Sequence, residues 1–122
     1  MQVFRHPATL AAARAFSDPP LNVIPARALG DSEQGEVLLG IRAHDLSLAS
    51  APGCASLSGR VELAEISGSE TFIHLAHDAG RIVAQIPGVH ELALNEPCTL
   101  YVRPRSWFGF GADGRLLFAP ES

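Results

Sequence analysis

Lysine is absent from this 122-residue chain, and all nine basic residues are arginine. Two chemistries are excluded with it, because a phosphate-cradling G-x-x-x-x-G-K-[ST] loop ends on a lysine and Schiff-base catalysis needs a lysine amine. An excess of positive charge is also missing. The formal net charge is −4 and the pI about 5.6, so the broad basic surface that tracks a nucleic-acid backbone is not there. Cysteine is scarce: Cys54 and Cys98 belong to no C-x-x-C pair, which leaves neither a zinc ribbon nor a thioredoxin-type redox site and reads as two reduced thiols. No run approaches the roughly 20 apolar residues of a membrane span, and no basic segment leads an apolar one as in a signal peptide. A cytosolic location is the expectation.

What is present suits one domain with one core: 47% of the residues are hydrophobic. An Ala- and Leu-rich stretch from Pro7 to Phe16 predicts a short helix with Leu10, Ala13 and Phe16 on one stripe. Pro19 and Pro20 end it, since neither can continue a helix and each biases the preceding residue toward extended geometry. Thereafter the period drops to two, in short runs bounded by Gly, Pro, Asn, Asp and Ser. Strands are predicted over 21–26, 36–42, 57–66, 71–76, 81–86, 98–103 and 115–119. In the first, Leu21 and Val23 are expected in the barrel interior with Asn22 facing away. In the third, Leu57, Gly59, Val61 and Leu63 form the expected inward face. Ser67-Gly68-Ser69 is a turn, and His44-Asp45-Leu46 is a single helical turn before a small-residue loop. Short antiparallel strands at this spacing after one helix predict a mainly β fold, an OB-like antiparallel barrel.

Candidate chemistry is sparse. His74 and His77 would share a helix face as metal ligands but fall on opposite faces of a strand. The adjacent pair His44-Asp45 does not aim imidazole and carboxylate at a common point, and Ser67-Gly68-Ser69 lacks the strand-to-helix setting of a nucleophile elbow. Glu62, Glu65 and Glu70 read as a solvated strand face, with acid–base work by Glu65, Glu70 or His74 resting on residue type alone. Trp107, Phe108 and Phe110 could stack a base or sugar or plug the barrel end; the plug is favoured, because only Arg103, Arg105 and Arg115 bring positive charge nearby.

Four segments together carry a resemblance. Pro7 to Ser17 followed by Asp18-Pro19-Pro20-Leu21-Asn22 is similar to a helix "P-x-x-x-F-V-A-x-F-I-G" running into "S-P-P-M-N". Gly40-Ile41-Arg42-Ala43-His44-Asp45-Leu46 matches "G-I-R-P-E-H-L", and the stretch from Gly59 to Leu75 matches "G-x-V-x-x-x-E-x-x-G-x-E-T-x-x-H-L". Residues 107–117 resemble the closing "H-L-F-D-x-x-G-x-x-L". In this order the motifs resemble the C-terminal region of ABC-importer ATPases of the maltose and glycerol-3-phosphate type, with departures at Ser17, Ala43, His44-Asp45 and Trp107. The resemblance implies a TOBE, or transport-associated OB-like, barrel over 19–122. Residues 1–18 are then the helix and junction from a preceding ATPase domain, and Met1 directly before a mid-family helix suggests a cut fragment.

It further implies a non-catalytic accessory and regulatory domain with no cofactor of its own, ATP and Mg belonging to the ATPase domain. The implied partners are a second copy of the subunit, the transmembrane permease subunits and regulatory proteins, with no nucleic acid; the implied location is cytoplasmic, peripheral to the inner membrane. Pro19, Pro20, Leu21 and Asn22 are the junction residues. Arg42, His44, Asp45, Glu65, Glu70 and Trp107 are the interface or regulatory candidates. The competing reading is a small-ligand (oxyanion) or oligonucleotide-binding OB-type domain.

Overall fold

Runs alternating at period two become strands in the computed structural model of the chain, which describes residues 21–29, 37–103 and 106–120. Their order is β1 (Asn22–Pro25), β2 (Leu38–Ile41), β3 (Leu46–Ser47), β4 (Ala55–Ser67), β5 (Glu70–His77), β6 (Gly80–Pro87), β7 (Pro97–Val102), β8 (Phe108–Phe110) and β9 (Leu116–Phe118). Two 3₁₀ turns, Ala26–Leu29 and Ala43–Asp45, are the helical segments among the described residues. The second is the turn expected at His44-Asp45. The helix expected over 7–16 and the Pro19-Pro20 junction lie outside the described residues. Among those described, no helix is long and apolar enough to cross a membrane.

The strands pair antiparallel in two sheets, β1-β2-β8-β9 and β3-β7-β4-β5-β6, which wrap one core into a nearly closed barrel. The core takes Ile24, Leu39 and Ile41 from the smaller sheet and Leu57, Val61, Ile73, Leu75, Ile82, Ala84, Leu100 and Val102 from the larger. β5 shows the alternation cleanly: Thr71, Ile73 and Leu75 are buried while Phe72 and His74 look outward. Thr71 is tolerated inside because its hydroxyl donates to the Gly88 carbonyl at 2.8 Å and accepts the His90 N–H at 2.9 Å. The Ser67-Gly68-Ser69 turn closes the β4–β5 hairpin, with Gly68 at φ +62° where a Cβ would be strained. A second cluster, Leu21, Phe108 and Phe110, covers the other face of the smaller sheet.

Three expectations about faces and strands are corrected. Leu63 is 45% exposed, not inward. The register of β4 against β5 steps from Val61↔Leu75 to Leu63↔His74, leaving Glu62 unpaired; this β-bulge inverts the alternation, so that Ala64 turns toward the core. In β1 the faces are the reverse of those expected. Asn22 and Ile24 pair with Ile41 and Leu39 and share their inward face, whereas Leu21 joins the second cluster and Val23 is half-buried beside it. Finally, β3 and β8 join the seven expected strands. Runs of two and three residues are too short to show a period; β3 is held by pairing with β7, and β8 by pairing with β2 and β9.

Candidate functional site

Three places gather polar groups, and each is built differently. The first is the seam where β1 and β6, the terminal strands of their sheets, come into contact. Asn22 is 5% exposed. Its Nδ2 donates to the Val83 carbonyl and its Oδ1 accepts the Val83 N–H, both at 2.8 Å. The pattern copies what two residues exchange in an antiparallel ladder. Sequence reasoning faced Asn22 away from the interior; its partner is a strand residue 61 positions away, which no local pattern signals.

The second is a cleft of about 290 Å³ walled by the Ala43–Asp45 turn, β3, the loop through Ala51 to Cys54 and the end of β7. Arg42 Nε donates to Asp45 Oδ2 at 2.7 Å, neutralising that carboxylate, and the exposed His44 ring lies 3.9 Å from the same oxygen. The Arg42 guanidinium also stands 5.4 Å from the centroid of the Phe108 ring, tying this corner to the second cluster. Of the interface candidates, Arg42, His44 and Asp45 are thus brought together. Ser47, Tyr101, Arg103 and Ser106 complete the cleft's polar lining. Sequence reasoning missed this role for them because β3 meets β7 only through tertiary pairing, Leu46 opposite Val102 and Ser47 opposite Tyr101.

The third is the outer face of β4, β5 and β6. Glu65 meets His74 Nε2 at 3.2 Å, Arg81 Nε donates to Glu62 at 2.9 Å, and Gln85 Nε2 donates to Glu70 at 2.8 Å. These are cross-strand surface pairs with small net energies. None of these pairs includes Arg42, His44 or Asp45. Trp107 is half-buried against the main core while Phe108 and Phe110 are buried in the second cluster. Phe108 and Phe110 are therefore packing residues, while Trp107 keeps part of its surface exposed. His74 and His77 sit at positions of opposite facing on β5, and no group of three or more His, Cys, Asp or Glu among the described residues could hold a metal. Cys54 and Cys98 are both free; burial, and secondly the Glu96 carboxylate, push the Cys98 thiol pKa up.

The two sheets closing round one core place the chain in the class of small OB-like antiparallel barrels. Within that class, a family model described as "TOBE domain" matches residues 39–110, more than half of the sequence, and the chain belongs to that family. It is also similar to curated proteins. An sn-glycerol-3-phosphate import ATP-binding protein of Rhodopseudomonas palustris (strain BisB5) is 30% identical over 144 aligned positions, covering 98% of this chain and 40% of the relative. One from Rhizobium etli is 31% identical over 110 positions, with 84% and 32% covered. Another, from Rhodopseudomonas palustris (strain BisA53), is 29% identical over 140 positions, with 94% and 38% covered. The chain thus spans 32 to 40% of the length of these curated relatives.

Proposed function

We propose that this TOBE barrel is the C-terminal accessory domain of the ATP-binding subunit of an ABC importer for glycerol phosphates or related solutes. The observation that carries the reading is that the family match is accompanied by import ATP-binding proteins aligning across as much as 98% of the chain. Nucleotide and Mg would bind in the ATPase domain of the whole subunit, outside this barrel. The barrel's work would be to help pair two subunits and to dock regulators, with the permease subunits engaged through the ATPase domain at the cytoplasmic side of the inner membrane. The corner formed by Arg42, His44 and Asp45, the outer-face pairs of Glu65 and Glu70, and the region of Trp107 are the surfaces offered for that docking. The test is deletion of the barrel from the full-length subunit. ATP binding should persist while subunit pairing or transport regulation weakens; unchanged pairing and regulation would overturn the reading.

A second reading, a small-anion-binding barrel, is favoured by one observation: the cleft places Arg103 with the hydroxyls of Ser47, Tyr101 and Ser106 beside an aspartate already neutralised by Arg42. Titration of the chain with inorganic phosphate separates the two readings. Saturable shifts of the Tyr101 and Arg103 resonances would support anion binding, and their absence would remove it.

A further inference from the structure

β6 is the last strand of the larger sheet, so one of its edges has no partner strand. In an antiparallel pair, alternate residues turn both backbone groups away from the partner. Val83 is such a residue, because its N–H and C=O go to Asn22, and the same parity makes Arg81, Gln85 and Pro87 edge-facing. Natural sheets protect such edges with charges and prolines, and here Arg81 and Pro87 stand toward the two ends of the strand. The middle is closed differently. The Asn22 backbone belongs to the smaller sheet, opposite Ile41, while its side chain completes the larger one. Among the described residues these are the side-chain hydrogen bonds that join β1 to β6.

We propose that Asn22 is a latch. Its amide stands in for the strand that β6 lacks and makes the start of β1 and the β6 edge open and close as one unit. Pulling β1 away from β6 would therefore break the seam at Val83 first, leaving the β4–β5–β7 body of the barrel folded. The device is a property of this fold and does not depend on the importer reading.

Amide hydrogen exchange followed by NMR on the 122-residue chain tests it. In the wild type, the Val83 amide should be protected like those of Ile82 and Ala84 although it sits on an edge. In N22L, which replaces the amide by an apolar side chain of similar size, Val83 protection should fall by about tenfold or more relative to the Ile73 and Leu75 amides. A uniform loss at all the β5 and β6 amides compared, or no selective loss at Val83, would overturn the latch. N22D covers the case in which N22L does not fold. Its ionised carboxyl can accept from the Val83 N–H but cannot donate to the carbonyl, whereas the protonated carboxyl can do both. Val83 protection in N22D, corrected for intrinsic exchange and compared with wild type at each pH, should therefore rise as the pH falls from about 7 toward about 4. A flat profile would show that Asn22 contributes bulk packing only.

Discussion

A Cβ on Gly59 of β4 would overlap the Ala76 carbonyl oxygen of β5 and crowd Leu75. The obstacle is backbone, which cannot swing aside as a flexible side chain does. G59A should therefore destabilise the chain by about 1–3 kcal/mol or more in urea titration despite adding a single methyl group. Cys98 gives a pH-dependent prediction. A thiol whose pKa is higher in the folded chain binds its proton more tightly there, so its contribution to stability is present below the ordinary value of 9.0 and is lost as the pH rises through the unfolded and then the folded pKa. Stability measured from pH 8 to pH 10 should fall more steeply in wild type than in C98A. Alkylation of Cys98 at about pH 8 should also accelerate on unfolding, since the thiolate is the reactive form.

Elements respond according to the register they adopt, and β4 provides the clearest contrast. V61D places a charge at a fully buried position and should prevent stable folding. L63D, two residues along, replaces a side chain that the bulge has turned outward and should change stability by less than about 1 kcal/mol. Circular dichroism melts of the two variants measure the bulge's effect directly. The junction element makes a second pair. Changing Pro19 and Pro20 together to Gly raises the entropy of the unfolded chain and should lower stability by roughly 1 kcal/mol, with the barrel still folded. L21D should cost at least about 2 kcal/mol, because Leu21 is buried against Phe108 and Phe110 and a carboxylate there has no partner. Thermal denataturation of both checks the assignment: an unfolded glycine variant or an unperturbed L21D would refute it.

At the scale of the whole molecule, the two sheets share one core and should melt in a single cooperative transition, even though the second cluster lies on the far face of the smaller sheet. The whole chain also lacks the lysine and glycine-rich loop through which nucleotide phosphates are held. Calorimetric titration with Mg-ATP should show no saturable heat, and micromolar binding would contradict the accessory-domain role. On the proposed reading, a full-length ATP-binding subunit with and without this barrel should show the same ATP affinity but different subunit pairing.

Much of the fold was legible along the chain because strand periodicity is a local property. Period-two alternation in β2, β5, β6 and β7, the Gly68 turn and the exclusion of lysine chemistry follow from neighbouring residues and composition alone. The motifs from Gly40 to Leu75 likewise pointed to the family that the match over 39–110 bears out. The tertiary structure decided whatever depended on pairing between distant segments. A bulge at Glu62 depends on how β4 is registered against β5, so Leu63 could not be turned outward by counting along β4. Asn22 faces inward because Val83, brought alongside by barrel closure, supplies a donor and an acceptor that offset the burial of its amide. The cleft beside Arg103 exists only because β3 pairs with β7, a contact between segments more than fifty residues apart that no local propensity encodes.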